Sequence, residues 1–528
     1  MTPRSKFLRA SRGAVFALAI VLVTLVAVTA FARPGGGSSY HGSSSHGGGY
    51  SSHSSGGYSG GGGSGGSALD VLELIVLCIE HPVLGLFIVV IGGGIFVVNV
   101  VQNSSRSDWS TASARRDEPE PIVPVFAPDA ESPRTQLEAL RRFDESFSVP
   151  IFEDFVSALY AQVHTARGRG ALASFSAYLA PEPLAALARA GSGEVKTIIV
   201  GALRILHVST SPGPAPTFTV TVEIEANYTE APAGGREQAW YVRERWHLSR
   251  LASAASRTPD RARVFACPSC GAPLEGVIAS RCKYCNKEVA TGAFDWVVRG
   301  IELAEREARG PMLTAETAEE GTDEPSVIDP DVREDFAALT QRDPALRWEG
   351  FSARVGLVFA EFQKAWSARD LAAMRPFLSD NLFDVETYWV RAYEAQHLRN
   401  VTENARITQL ELARVASDKF YDAITIRLFA TSLDYTVSTS DPGKPSSRDA
   451  ERLVCGSRSR ERRYSEYWTF LRSARRTGPP RVDRTCPNCG APLAINMAGN
   501  CTYCSAKVTG GDFDWVLSRI EQDESYTG

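Results

Sequence analysis

The chain has 528 residues, more than one hydrophobic core serves, so three or more folded units are expected. Charged residues make up 22% and sum to −5, which leaves out the basic footprint of a nucleic-acid binder; no nucleic-acid partner is expected. The hydrophobic share, 44%, is ordinary.

The amino end reads as membrane-directed. Arg4, Lys6, Arg9 and Arg12 precede an apolar run from Ala14 to Phe31, and Ala30-Phe-Ala32 offers a small-residue cleavage site. Residues 1–32 therefore read as a secretory signal peptide, with an uncleaved signal anchor as the alternative. Residues 33–68 are almost all Gly, Ser, His and Tyr and predict a flexible spacer, because such a composition buries too little to fold. Its His41, His46 and His53 offer weak metal ligands, and a bland spacer is the preferred reading. A membrane segment is expected over 69–102. Leu69, Leu72, Val76 and Ile79 recur at helical spacing, and the apolar run Pro82 to Val101 carries Asn99 as its one strongly polar residue. Twenty helical residues reach about 30 Å, the thickness of the hydrocarbon core. Arg106, Arg115 and Arg116 follow this span, in the linker 103–134, while acidic and neutral residues precede it. The positive-inside rule then predicts a single-pass protein of the inner (plasma) membrane with its carboxyl region in the cytoplasm.

Two related modules follow, expected at 135–258 and 331–474. Leu137-Glu-Ala-Leu140-Arg-Arg-Phe-Asp144 matches Phe336-Ala-Ala-Leu339-Thr-Gln-Arg-Asp343. Phe155, Val156 and Tyr160 match Leu357, Val358 and Phe362, and their spacing predicts an amphipathic helix in each copy. In the second copy the helix breaks at Ser367-Ala-Arg-Asp370, and a short turn from Leu371 ends at Pro376. Strands come next. Phe218, Val220, Val222 and Ile224 alternate with Thr219, Thr221 and Glu223, a half-buried pattern, and Ile424, Ile426 and Leu428 do the same in the second copy. Glu244-Arg-Trp246-His-Leu248 pairs with Glu466-Tyr-Trp468-Thr-Phe470, and period-two spacing puts glutamate, tryptophan and apolar residue on one strand face. Helices followed by hairpin-like strands predict an α+β fold, an antiparallel sheet with helices on one face.

Each module is followed by a four-cysteine ribbon, expected at 259–309 and 475–528. Cys267-Pro-Ser-Cys270-Gly-Ala-Pro-Leu, Cys282-Lys-Tyr-Cys285 and Phe294-Asp-Trp-Val recur without a gap as Cys486-Pro-Asn-Cys489-Gly-Ala-Pro-Leu, Cys501-Thr-Tyr-Cys504 and Phe513-Asp-Trp-Val. C-x-x-C knuckles at this spacing point two sulfurs each at one metal. Gly271 and Gly490 allow the turn after the second sulfur. Four thiolates close a tetrahedral shell and leave no position for a substrate water, so two structural zinc ions are expected, with iron or paired disulfides as alternatives. The remaining Cys78 and Cys455 read as buried small hydrophobes. A helix is expected from near Phe294 into Glu302 and beyond, and 310–330 reads as a solvated acidic linker.

Phe362-Gln-Lys-Ala-Trp366-Ser-Ala-Arg-Asp370-Leu-Ala-Ala-Met-Arg-Pro-Phe-Leu378, the Glu-x-Trp strand and the cysteine ribbon resemble bacterial members of the Tim-44-like family. The order of signal-like segment, Arg-Pro-Gly-Gly-Gly, low-complexity tract and span is similar too. The resemblance covers most of 135–528 and is clearer in the second module, since His164-Thr-Ala-Arg-Gly stands where the second has Trp366-Ser-Ala-Arg-Asp. It implies a cystatin-like fold with a hydrophobic cavity in each module, hence two cystatin-like modules with zinc ribbons behind one transmembrane helix. Mitochondrial relatives act at the inner membrane, one recruiting a chaperone motor to a translocase and another holding ribosomes there. Neither carries the ribbons or the duplication.

A scaffold that binds a protein partner at the membrane is the leading functional expectation, and not an enzyme: no Walker loop, G-x-S-x-G or H-E-x-x-H stands in a working context. No catalytic or cofactor-binding residue is assigned. The alternative is a cavity-based binder or enzyme using Glu244 and Glu466, each beside a tryptophan whose apolar ring can raise a carboxyl pKa. A plainer alternative is a partly exposed glutamate paired with Arg243 or Arg463.

Overall fold

A computed structural model describes residues 109–111, 132–190, 193–211, 213–232, 235–311, 313–314, 319, 321–439 and 451–528. The expected signal, spacer and membrane span, and Cys78 with them, lie outside the described residues. Among the described residues, no helix is long and apolar enough to cross a membrane.

The first module opens with α1 (Pro133–Glu138), α2 (Val149–Gly168) and α3 (Pro181–Arg189). Ser148 caps α2 by accepting from Ile151 N, and Pro150 sits in the first turn, where its missing N–H costs nothing. Three strands follow: β1 (Gly193–Ser211), β2 (Thr217–Pro232) and β3 (Gln238–Leu251). The ribbon comes next, with its small hairpin β4 (Val277–Ile278) and β5 (Arg281–Cys282). The chain then returns as β6 (Val297–Glu307) to complete an antiparallel sheet in the order β1-β2-β3-β6. The helix expected from Phe294 is therefore a strand. The ribbon lies between the third and fourth strands of the module's own sheet.

The second module repeats the plan with α4 (Val332–Arg342), α5 (Trp348–Ala368), α6 (Leu371–Met374), α7 (Asp380–Ala395), β7 (Leu398–Ser417), β8 (Tyr421–Ser438), β9 (Arg452–Gly456) and β10 (Arg462–Ser473). The second ribbon then leads to β11 (Val516–Gln522), in a sheet ordered β11-β10-β8-β7. Helix α5 stops where expected: Arg369 turns left-handed at φ 56° and Asp370 caps α6. Register shifts in β1 and β7 mark bulges, which bend these long strands around the helix. Cys455, expected to be buried, is only half-buried, because β9 is short and pairs with β8 alone.

Each core lies between the long helix and one sheet face. Leu159 and Val163 meet Val220, Val222, Ile224 and Trp246, while Val358 and Phe362 meet Ile424, Ile426, Leu428 and Trp468. Each such aliphatic side chain contributes about 1.5–3 kcal/mol on burial. The half-buried strand pattern needs correction, since the second face is covered too. Thr221, Glu223 and Glu225 are buried behind Val220 to Ala226. Arg204 bonds Glu223 at 2.6 Å and also Glu225, and Arg245 reaches Glu223 at 3.1 Å. Buried charge is tolerated there because it is paired.

The described residues of the segment expected to be a solvated linker instead line the outer face of the second sheet. Leu313 is buried, and buried Arg427 donates to Gly321 O at 2.7 Å, Glu324 O at 2.8 Å and Ser326 Oγ at 2.9 Å. The modules also clasp each other. Arg134 on α1 pairs with Glu153 at 3.3 Å and with Glu521 on β11 at 2.8 Å. Arg519 pairs with Glu153, and Arg414 reaches Glu138 at 2.9 Å. Helix α7 of the second module packs against β1 of the first.

Candidate metal centres and buried polar pairs

In the first ribbon, Cys267 N–H donates to Ala272 O at 2.7 Å and Gly271 N–H to Cys267 O at 2.8 Å, which closes a tight knuckle. Gly271 sits at φ +75°, a conformation strained for any residue with a Cβ. Cys282 and Asn286 form the facing knuckle in the same way, with 2.8 Å from Asn286 N to Cys282 O. The second ribbon repeats this with Cys486, Gly490 (φ +74°), Cys501 and Ser505.

The knuckles bring four sulfurs together. Cys267 Sγ is 3.9 Å from Cys285 Sγ, and Cys270 Sγ is 3.8 Å from Cys282 Sγ. Cys486 and Cys504 stand at 3.8 Å, Cys489 and Cys501 at 3.9 Å. Within each tetrad all four sulfurs lie within 4.8 Å of one another. A zinc ion with Zn–S bonds of about 2.3 Å has a tetrahedral edge of about 3.8 Å. A disulfide needs about 2.05 Å, so these sulfurs are spaced for a metal and not for a bridge. Backbone N–H groups of Cys285 and Tyr284 draw the Cys282 thiol down to about 7. The Asn488 amide and Ala506 N–H draw Cys504 down to about 6. The two tetrads could thus each hold one metal ion, and their geometry is compatible with zinc.

The trailing Phe-Asp-Trp-Val ties each ribbon to its module. Asp295 Oδ1 accepts from Trp296 N and Asp514 Oδ1 from Trp515 N, both at 2.8 Å. Buried Arg250 lies over Trp296 at 5.7 Å and bonds Asp144 at 2.5 Å. Buried Arg472 lies over Trp515 at 4.5 Å and bonds Asp343 at 2.9 Å. Asp144 and Asp343 were visible as a repeat in the sequence; the arginines that join them to the ribbon were missed. Their signal was the shared position four residues after Trp246 and Trp468.

Glu244 and Glu466 occupy equivalent buried positions, at 0% and 1% exposure, so neither is the partly exposed glutamate of the plainer alternative. Glu244 Oε2 accepts from Trp246 Nε1 at 2.7 Å and Oε1 from the Tyr160 hydroxyl at 3.1 Å, with His164 Nε2 at 3.2 Å. Glu466 accepts from Trp468 Nε1 at 2.8 Å and Gln522 Nε2 at 3.2 Å. Arg243 instead pairs with Glu305 and Glu223. Burial pulls the Glu244 carboxyl up, but His164 and the hydrogen bonds from His164, Trp246 and Tyr160 outweigh it and hold the pKa below the ordinary carboxylate value. For Glu244 the raised pKa expected beside an apolar ring is therefore corrected: Trp246 presents its N–H to the carboxylate, not its face. Burial pushes His164 down. Arg167 Nε–H donates to His164 Nδ1 at 3.2 Å, which turns Nε2 toward Glu244.

A cleft of about 810 Å³ lies between the modules rather than inside either one. It is lined by Asp154, Arg204, Asn381, Tyr421 and Arg519 among others. Burial pushes Asp154 up to about 7 there, and Asn381 donates to its carboxylate.

No curated protein matches the chain. Among solved structures, an Ntf2-like protein involved in plasmid conjugation aligns with 8% identity over 70% of this chain and 92% of its own, at a TM-score of 0.15, too low to carry an argument. Residues 332–481, which span α4 to β10, match the family of the Tim44-like domain.

Proposed function

We propose that the protein is a membrane-tethered scaffold that binds protein partners on the cytoplasmic side of the inner membrane, in protein transport or membrane-protein biogenesis. Two cystatin-like modules, each carrying a structural zinc ribbon, form its working part. The match of residues 332–481 to the Tim44-like domain carries this reading, because that domain is associated with scaffolding of protein translocation. Closed four-thiolate sites support it, as they serve folding and not chemistry. So does the sealing of Glu244 and Glu466, which no substrate reaches without opening a core. The apolar run 82–101 supplies the tether and raises the local concentration of the modules near a membrane partner.

Crosslinking in intact membranes, followed by identification of the captured proteins, tests the reading directly. In a deletion strain with a phenotype, protein lacking 82–101 is expected to fail and Glu466→Gln to complement. Full complementation by the untethered protein, with failure of Glu466→Gln, would replace the scaffold by the cavity-based alternative.

A further inference from the structure

Three residues that follow the expected span are bound to the first module as a ligand would be. Thr111 N–H donates to Ile301 O at 2.7 Å, Ile301 N–H to Thr111 Oγ1 at 3.0 Å, and Leu303 N–H to Ser110 Oγ at 2.8 Å. These bonds fall on β6, the outer strand of its sheet. Trp109 is 1% exposed. Its ring meets His164 edge-on at 6.0 Å and lies under the guanidinium groups of Arg167 at 5.3 Å and Arg306 at 5.2 Å. Both arginines are held by one carboxylate, Glu230, at 2.6 Å each. Arg306 also lies 3.6 Å over Trp240. The socket is therefore assembled by α2, β2, β3 and β6, and its cations are fixed by partners other than the tryptophan.

Among the described residues, the second module has no such arrangement. Trp366 stands there in place of His164, bonds Asn400 at 2.8 Å and packs on Tyr393 at 5.8 Å. On its outer strand, Gln522 N–H, at the position of Leu303, donates to Ser525 Oγ at 3.1 Å, within the chain's own last turn. The replacement of tryptophan by histidine in α2 thus coincides with an aromatic supplied from another part of the chain.

We infer that the outer edge of β6 and the socket of His164, Arg167 and Arg306 form a strand-addition site for an extended peptide with an aromatic anchor followed by small hydroxyl residues, and that Trp109-Ser110-Thr111 is its resident ligand. Bonds to the main chain of the edge, one from Thr111 N–H and two accepted by the Thr111 and Ser110 hydroxyls, give affinity and the socket gives specificity, the division used in peptide recognition by strand addition. The resident ligand is imperfect: the buried Trp109 indole N–H has no acceptor among the described residues, which leaves room for a better-matched segment to displace it. The site stands on this geometry alone, so it survives or fails independently of the scaffold reading.

The test uses the full chain in detergent and a labelled peptide of residues 104–114. Trp109→Ala protein is expected to bind the peptide at least tenfold more tightly than wild type. It should also lose hydrogen-exchange protection at the Ile301 and Leu303 amides and regain it on peptide binding. A peptide with alanine at position 109 should not bind. Equal binding to wild type and variant, or no binding to a variant whose 516–522 strand stays protected, would overturn the site. Should Trp109→Ala unfold the first module, Thr111→Pro decides the matter: it removes the donor to Ile301 O while keeping the anchor, and unchanged protection of β6 in that variant would equally overturn the inference.

Discussion

Asp343 and Arg472 show how a single buried pair can hold three elements. The carboxylate sits at the end of α4, the guanidinium on β10, and the ring beneath it on the segment after the ribbon. Asp343→Ala removes the nearer carboxylate from buried Arg472, which keeps Asp422 at 3.8 Å, and is expected to cost about 1–3 kcal/mol, read from the denaturant midpoint of the second module. In the first module the same tie involves Asp144. Burial there pulls the carboxyl up, but Ser256 and Arg250 outweigh it and hold the pKa below the ordinary value. A depressed folded pKa contributes stability that is present above the unfolded value of about 4 and is lost as pH falls through the folded value. Acid should therefore weaken wild type more than Asp144→Asn, so thermal scans of the two should converge below about pH 4. Glu244→Gln replaces one acceptor oxygen with a donor facing His164 or Tyr160, and a loss of about 1–3 kcal/mol is expected.

The ribbons matter as elements because each interrupts a sheet. Strand β6 follows the first ribbon and pairs with β3 from Ser249 to Tyr241, so metal binding and sheet closure are joined in one stretch of chain. Purified, reduced protein is expected to hold two zinc ions per chain, and Cys270→Ser to hold one. In that variant hydrogen exchange should rise in β4, β5 and β6 and stay unchanged in β11. Metal analysis finding none in the wild type, or two in the variant, would count against the tetrads as metal centres. Strand β6 also shows why local preference misleads. Glu302-Leu-Ala-Glu-Arg-Glu-Ala-Arg309 is built of strong helix formers. Its neighbour β3 carries buried Trp246 and Leu248 and needs a partner on that edge, and pairing outweighs propensities worth a few tenths of a kcal/mol per residue.

At the scale of the whole molecule, the modules are joined by buried charge. Arg134 and Arg519 share Glu153 and Glu521 across the junction, and burial there makes an unpaired member costly. Asp154 beside them behaves oppositely. Its folded pKa of about 7 lies above the unfolded value of about 4, so wild-type stability rises as pH falls from 7 toward 4, because the folded state takes up a proton the unfolded state lacks. Asp154→Asn should therefore raise the melting temperature at pH 8 and change it little at pH 4. A variant no more stable than wild type at pH 8 would show that the carboxylate stays hydrated in the cleft.

What the sequence determined by itself was local or repeated. Cysteine spacing alone identifies both tetrads, because a knuckle is closed by residues within a few positions of each other. Period-two spacing identifies the shared face of Glu244, Trp246 and Leu248, and helical spacing the buried side of α2 and α5, since these periods are properties of the backbone. Three things were decided only in the tertiary structure. Strand β6 follows from its edge partner and not from its own composition. The second faces of the sheets are closed by the other module and by the segment before α4, over sequence distances that no period spans. Trp109 reaches His164 across more than fifty residues, and nothing near either one announces the contact. Such contacts depend on which surfaces remain uncovered once the local elements have formed, and that is a property of the packed molecule.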